Sequence, residues 1–284
     1  MKTRTIWKQL KKEIDSDQVV VITGPRQVGK STTLAWLLDQ IPSTNKIYFD
    51  MENLVNRELF ESKDYDSILK EFNSLGLDIN NKMYVAIDEI QLLENIPSVV
   101  KYLHDHYQIK FFLAGFSSHY IKNHFSESMS GRKVLYEMMP LTFSEFLHFK
   151  GVEYQLPAKL DLENSLSITT FEKLKSYYQE YCDYGGLPKV VLTNSVEQKL
   201  QLLQEIYSSY INLDAATLAD FKQTSSLREM IKLVAARVGS KLNVSEIANI
   251  VGISRVTVDN YLEFLEQTYL ILSLIHISEP TRPY

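Results

Sequence analysis

The sequence contains a single cysteine, Cys182, among 284 residues. A disulfide within the chain is therefore excluded, which is typical of proteins from a reducing compartment. No run approaches the roughly 18–20 apolar residues of a membrane-spanning helix, and the charged amino terminus lacks the apolar stretch of a secretory signal. We therefore expect a cytoplasmic protein without a membrane partner.

No excess of positive charge is present either. The chain has 30 Lys and Arg against 35 Asp and Glu, a net charge of -5, which argues against binding a polyanion through bulk charge. Residues 1–12 are an exception, with five basic side chains and no acidic one. This arm could contact nucleic acid, or it could be the solvated face of a helix. The length predicts about two domains.

Residues 1–150 alternate short apolar runs with helical patterns. Strand-like runs occupy residues 18–23, 46–50, 83–88, 109–114 and 133–138, with helical spacing at 31–38 and 65–73. Strands that alternate with helices indicate an α/β fold, in which a parallel sheet is covered by helices on both faces.

The loop after the first strand has the spacing G-x-x-x-x-G-K-S and leads into a helix, which is the context that a phosphate-binding loop requires. Its glycines let backbone N–H groups turn towards phosphate oxygens, and the helix amino terminus favours anions. We expect Lys30 to reach the β- and γ-phosphates of ATP, and Ser31 to ligate Mg²⁺. The candidate binding residues are Gly24, Pro25, Arg26, Gln27, Val28, Gly29, Lys30, Ser31 and Thr32.

Two acidic residues stand at the end of the buried run 83–88: Asp88 is its last residue and Glu89 follows it. Asp88 suits a magnesium ligand, and Glu89 suits a base that polarises the attacking water. Along the chain the run 46–50 lies between the loop strand and the acidic strand. That order resembles ATPases with an additional strand between their two Walker strands. No Asn-Lys-x-Asp motif for guanine is found, which favours ATP.

Three further residues are candidates for the catalytic or nucleotide-binding site, and each has an alternative interpretation. Ser117 could orient the water as a γ-phosphate sensor, or simply belong to a turn. Arg132 could stabilise transition-state charge within or between subunits, or be a surface arginine. Arg26 could face either phosphate or an acidic partner.

Beyond residue 150, residues 151–225 have helical composition and residues 226–271 have the pattern of a helix-turn-helix or winged-helix-like module. A helix over 245–251 with Ser245 as N-cap, a turn at 252–254 and a helix over 255–269 are predicted, with a wing strand beginning within 270–274. Arg255, Thr257 and Asn260 could touch DNA bases. Residues 226–274 carry five basic and five acidic side chains, so a packing or protein-interaction role for 245–269 stays open.

Several motifs together resemble the bacterial and archaeal AAA-type ATPases that carry a C-terminal domain of unknown function. They are the loop 24–31, Ile87-Asp88-Glu89-Ile90-Gln91, Gly131-Arg132, Pro140-Leu141-Thr142-Phe143-Ser144-Glu145-Phe146 and Gly185-Gly186-Leu187-Pro188. The resemblance covers about residues 5–274. It implies an AAA-like core, a helical segment, a winged-helix-like module and a nuclease-like region further on. The family usually has Thr-Gly-Ser-Ser where this chain has Ala114-Gly115-Phe116-Ser117, which weakens the sensor.

Residues 272–282 resemble the translation of a transposase-based sequencing adapter. We therefore expect residues 272–284 to be a non-native tail and the natural protein to continue differently; the DNA sequence tests this.

The function expected from the sequence is Mg²⁺-dependent ATP hydrolysis by an AAA-type switch or motor. The alternative is an ATP-gated DNA-binding or protein-interaction module with little hydrolysis. The expected partners are ATP, an unidentified protein and a second copy of the chain in a homo-oligomer. Whether DNA is also a partner, through residues 245–269, is left open.

Overall fold

The computed structural model describes residues 1–116, 129–154, 167–211 and 224–271. The chain forms two compact units that divide between Thr193 and Asn194. This division differs from the predicted boundaries at 150 and 225, because residues after 167 pack onto the first unit. The Tyr181 hydroxyl donates to the Leu141 carbonyl over 2.8 Å, and its ring lies 5.4 Å from that of Phe146.

Within these ranges, no helix is both long and apolar enough to cross a membrane.

The described residues of the first unit form one sheet of five parallel strands, each within one residue of the predicted run. They are β1 (Val19–Thr23), β2 (Lys46–Asp50), β3 (Met83–Asp88), β4 (Ile109–Gly115) and β5 (Lys133–Glu137). Their order across the sheet is β2-β3-β4-β1-β5. The α/β P-loop NTPase fold is thereby confirmed.

An additional strand does separate the loop strand β1 from the acidic strand β3, but it is not the strand that lies between them in sequence. β4 pairs with both, whereas β2 pairs with β3 on its outer side. Strand order in a parallel sheet is set by crossover connections and not by chain order. The prediction that residues 46–50 form the additional strand was therefore wrong, although such a strand is present.

Helices cover both faces of the sheet. In the first unit they are α1 (Trp7–Lys12), α2 (Lys30–Gln40), α3 (Leu54–Phe60), α4 (Tyr65–Ser74), α5 (Ile96–His106), α6 (Phe143–Phe149), α7 (Ile168–Tyr184) and α8 (Pro188–Leu192). One face buries a cluster around Phe49, Phe60 and Phe72. The other buries one around Leu34 and Phe112. Apolar residues therefore enclose the strands and leave their carboxyl ends as the edge where ligands bind in such folds.

The second unit contains α9 (Val196–Ser209), α10 (Thr224–Ala235), α11 (Val244–Val251) and α12 (Arg255–Gln267). The predicted helix-turn pair is present as α11 and α12, joined at Gly252, whose φ of 72° is left-handed. The N-cap of α11 is Asn243 and not Ser245, because the Asn243 side chain accepts from the Glu246 N–H. Leu270 and Ile271 form no strand, and residues 272–284 lie outside the described ranges.

Candidate nucleotide site

The loop between β1 and α2 has a shape that only glycine permits at its first position. Gly24 has a φ of 151°, and a Cβ there would stand 2.0 Å from the Met138 carbonyl oxygen. Gly29, with a φ of 99°, begins α2 without a side-chain cap. The first turn of that helix therefore faces the loop and suits an anion.

Replacing Gly24 by alanine should lower the free energy of unfolding by at least about 2 kcal/mol, because the added Cβ collides with backbone that cannot rotate away. Gly76→Ala is the matched control. Gly76 also has a positive φ, 91°, but no atom lies within 4 Å of the place that its Cβ would take, so only about 1 kcal/mol of strain is expected there. Urea unfolding measures both, and equal losses would show that the loop accommodates a side chain at residue 24.

Lys30 lies inside the loop and is buried. Its Nζ donates to the carbonyl oxygens of Gly24 over 2.9 Å and of Pro25 over 2.7 Å. An ammonium group that donates to neutral carbonyls is well placed to exchange them for phosphate oxygens, since hydrogen bonds between two charged groups are stronger. Lys30 therefore lies inside the loop, and its contact with phosphate stays a prediction.

Tyr48, a residue that no sequence motif indicated, contacts Asp88. The Tyr48 hydroxyl donates to Asp88 Oδ2 over 2.7 Å, and the neighbouring Ser31 side chain acts to lower the Tyr48 pKa. Burial and the neighbouring Asp88 carboxylate raise the pKa of Tyr48, so its phenol stays protonated and remains a donor. Tyr48 lies on β2 beside β3, and the period-two alternation of Lys46, Tyr48 and Asp50 was the available signal.

Glu89 follows β3 in a left-handed conformation, with a φ of 53°. This conformation is uncommon for a residue other than glycine and is often found at functional sites. The Glu89 N–H donates to Asp88 Oδ1 over 2.9 Å, and its Oε2 accepts from Gln91 Nε2. Burial raises the pKa of Glu89, opposed by the Gln91 hydrogen bond and by the positive charge of Lys30.

Arg26 lies against an aromatic ring. Its guanidinium carbon is 4.2 Å from the centroid of the Phe116 ring, at the end of β4. Its positive charge also lowers the pKa of Glu89, to a lesser extent than Lys30 does. The predicted sensor Ser117 lies outside the described residues.

Arg132 lies at the opposite edge of the sheet. It immediately precedes β5, and its Nε pairs with Asp105 Oδ1 at 2.7 Å. Several strand residues at about 3.3 Å each separate this edge from the carboxyl edge. Arg132 therefore does not meet the loop of its own chain, and an action between subunits stays a prediction.

The amino-terminal arm is anchored against the loop. Buried Arg4 pairs with Glu145 at 3.0 Å and donates to the carbonyls of Val28 at 2.8 Å and Met139 at 2.7 Å. Glu145 also completes a capping box with Thr142 at the start of α6. Arg4 is therefore a structural residue and is not available to nucleic acid.

Removing the Arg4 side chain should destabilise the fold by about 3 kcal/mol, because Glu145 would be left buried without its partner. Burial by itself would raise the pKa of Glu145, but hydrogen bonds from Thr5 N–H and Arg4 outweigh it, so the pKa is lowered. A lowered pKa stabilises the fold above the unfolded value and loses this effect as pH falls.

The difference between wild type and Arg4→Ala in urea unfolding should accordingly shrink in acid. Lys8→Ala, at an exposed position of the same arm, is the control and should leave stability unchanged. A pH-independent difference would contradict the ion-pair explanation.

A cavity of about 520 Å³ adjoins the loop and the start of α2. It is lined by Met1, Lys2, Arg4, Trp7, Val28, Gly29, Thr32, Met138, Phe149, Pro188 and Leu192. Its walls are mostly apolar, which is typical of pockets for small ligands. This cavity is therefore bordered by three segments that are distant in sequence: the amino-terminal arm, the P-loop and the region of the Gly-Gly-Leu-Pro motif. The sequence alone did not predict that they meet.

The described residues contain no cluster of three or more His, Cys, Asp or Glu that could hold a metal ion. A magnesium ion at the carboxyl edge would have Asp88 and Ser31 as protein ligands and would depend on phosphate oxygens, as Mg²⁺ at nucleotide sites commonly does.

Comparison with known families agrees with this geometry. Residues 16–147 match the family model described as an AAA domain. The first unit thus resembles an AAA domain. Residues 175–283 match a domain of unknown function, DUF8612. That match includes residues 272–283, and the foreign origin of this tail stays a prediction.

Two curated relatives are themselves named only as uncharacterized proteins. A Haemophilus influenzae protein is 30% identical over 90% of this chain, and a Methanocaldococcus jannaschii protein is 26% identical over 99% of it. The chain spans 62% of the length of each.

Among solved structures, the Thermotoga maritima RuvB Holliday junction branch migration motor is 16% identical, with a TM-score of 0.43 over 92% of this chain and 83% of that one. The Aeropyrum pernix ORC2 protein in its ADP form is 12% identical, with a TM-score of 0.48 over 94% and 85%.

Proposed function

We propose that this protein binds ATP with Mg²⁺ at the carboxyl edge of its sheet and hydrolyses it, as an AAA-type switch or motor. One observation carries the proposal. Lys30 of the loop, Asp88 at the end of β3 and Glu89 just after it converge at this edge, where the charge of Lys30 acts on Glu89 and Tyr48 donates to Asp88 beside Ser31.

In this proposal the chain's residues have separate tasks. Lys30 exchanges the carbonyls of Gly24 and Pro25 for β- and γ-phosphate oxygens, while the uncapped start of α2 supplies N–H donors. Ser31 and Asp88 hold the metal, which when bound would neutralise phosphate charge and align the reacting oxygens.

Glu89 would accept the proton of the attacking water. A general base works best with a pKa near the working pH, and burial moves the pKa of Glu89 upwards in that direction. Its carboxylate has one oxygen, Oε2, held by Gln91, and we assign the other oxygen, Oε1, to the water.

The cavity beside Gly29 and Thr32 provides a place for the base of the nucleotide. It lies next to the loop and is lined by apolar side chains such as Trp7, Met138 and Leu192. A nucleotide base is flat and largely apolar on its faces, so such a space suits it. We infer that the base lies here and that the amino-terminal arm contributes to binding it.

Arg132 is the candidate for action between subunits. Its side chain is 43% exposed and lies at the edge opposite to its own loop. An arginine at this edge can approach a phosphate only when a second copy brings its loop there. We therefore propose a homo-oligomer in which Arg132 acts on the neighbouring site.

A second candidate function is an ATP-gated interaction module with little hydrolysis. The buried Phe116 favours it, because an aromatic ring stands where the resembling family has a serine of its sensor. On α12, Arg255 and Asn260 are exposed, but so are Asp259 and Glu263, which repel phosphate. The helix-turn pair therefore suits a protein partner better than DNA.

Phosphate release from ATP and Mg²⁺, with and without duplex DNA, separates the two candidates. Steady turnover by the wild-type protein supports the ATPase proposal, and stimulation by DNA would make DNA a partner. ATP binding without phosphate release would support the interaction module and contradict hydrolysis.

A further inference from the structure

The side chain of Gln91 lies between the two strands that frame the proposed site. Gln91 follows β3, in the short 3₁₀ helix Ile90–Leu92, and is 9% exposed. Its Nε2 donates to Glu89 Oε2, and its Oε1 accepts from the Phe116 N–H over 3.4 Å. One amide thus connects the carboxylate after β3 with the backbone at the end of β4.

The orientation of this amide is determined by its surroundings. The Phe116 N–H can only donate, so it must face the carbonyl oxygen of the Gln91 side chain. The opposite side of the amide, its NH₂ group, is then directed at Glu89, where a carboxylate can only accept. Both contacts are satisfied in one orientation, and the flipped amide would break both.

Gly115 leaves the space that this arrangement needs. A Cβ at Gly115 would stand 2.7 Å from Gln91 Oε1 and 3.0 Å from Ile90 Cγ1. Because the backbone at Gly115 belongs to β4, between β3 and β1, it cannot move aside easily. A side chain at residue 115 would therefore displace the Gln91 amide without altering the identity of Gln91 or Glu89.

We propose that Gln91 is a positioning residue for Glu89, whose carboxylate it holds by one oxygen while the end of β4 holds the Gln91 amide. The proposal rests on the proposed hydrolysis only for its kinetic consequence. Its direct consequence is independent of turnover: the Glu89 carboxylate is held in one orientation, with Oε2 bonded to the Gln91 amide.

The test observes the Glu89 carboxylate directly at one fixed pH. Carboxyl ¹³C spectra of glutamate-labelled protein are recorded, and the Glu89 signal is identified by its loss in Glu89→Gln. In Gln91→Met, which keeps the length but has no donor, the chemical shift of this signal should change because its hydrogen bond is lost. Gly115→Ala, which displaces the amide without altering Gln91 or Glu89, should change it in the same direction. Gln108→Met, at an exposed position on the other edge of the sheet, is the matched control.

The kinetic measurement is kcat and KM for ATP at the same pH. Gln91→Met and Gly115→Ala should lower kcat about 10-fold, the loss expected for one hydrogen bond to a charged group, with KM changed little. A Glu89 signal that does not move in Gln91→Met and Gly115→Ala overturns the proposal. A moved signal in a protein without turnover supports the positioning role and contradicts only the hydrolysis proposed above.

Discussion

Replacing Lys30 by alanine is expected to weaken ATP binding at least about 100-fold. Each hydrogen bond from an ammonium to a phosphate contributes about 1.5–3 kcal/mol, and Lys30 holds its Nζ inside the loop against the carbonyls of Gly24 and Pro25. The alanine variant removes the charge but leaves Gly24 and Gly29, which set the loop conformation. Titration of a fluorescent ATP analogue in the presence of Mg²⁺ measures the change in Kd.

Lys82→Ala is the matched control for this experiment. Lys82 is exposed and precedes β3, at the edge of the same sheet away from the loop. Its removal changes the net charge equally but should leave Kd unaltered. Circular dichroism of both variants checks the fold. A folded Lys30→Ala protein that binds ATP like wild type would show that the nucleotide site lies elsewhere.

The second large effect is expected for Glu89→Gln, which should retain ATP binding and lower turnover by about 10²–10⁴-fold. A glutamine has nearly the shape of glutamate but cannot accept a proton, and proton transfer by a positioned side chain commonly contributes that factor. The Asp88 side chain and its bond from Tyr48 are untouched. Malachite-green phosphate release gives kcat, and the fluorescent analogue gives Kd.

Glu94→Gln controls for the loss of one negative charge close by in sequence. Glu94 is exposed and lies beyond the 3₁₀ helix that follows Glu89. This variant should turn over ATP at the wild-type rate. If Glu89→Gln also did so, the base would have to be another group, and the unusual backbone of Glu89 would need a different explanation.

The local elements of the first unit follow directly from the sequence. The runs 46–50 and 83–88 coincide with β2 and β3, because both are short apolar segments bounded by polar residues. The N-cap at Thr142 was equally predictable from Thr142 and Glu145, three residues apart. Helices α3 and α5 were not predicted, since α3 is short and α5 begins without a side-chain cap.

Contacts between distant residues were not predictable in the same way. Tyr48 meets Asp88 because β2 pairs with β3, and Gln91 meets Phe116 because β3 pairs with β4. Arg4 meets Glu145 across 141 residues of chain. The hydrophobic periodicity of a single segment does not indicate which distant residues will meet, because such pairings depend on how crossover connections order the strands.

The P-loop, the acidic pair and the nucleotide-binding α/β fold were determined by the sequence alone, because a phosphate-binding loop needs a fixed local spacing of glycine, lysine and serine. Tertiary structure decided which strand separates β1 from β3, why Arg132 cannot serve its own loop, and which groups hold Glu89. Those outcomes depend on strand pairing and on the direction of each side chain at the sheet edge. The reactive groups are therefore specified by local sequence, whereas their support by Tyr48 and Gln91 arises only when the sheet is assembled.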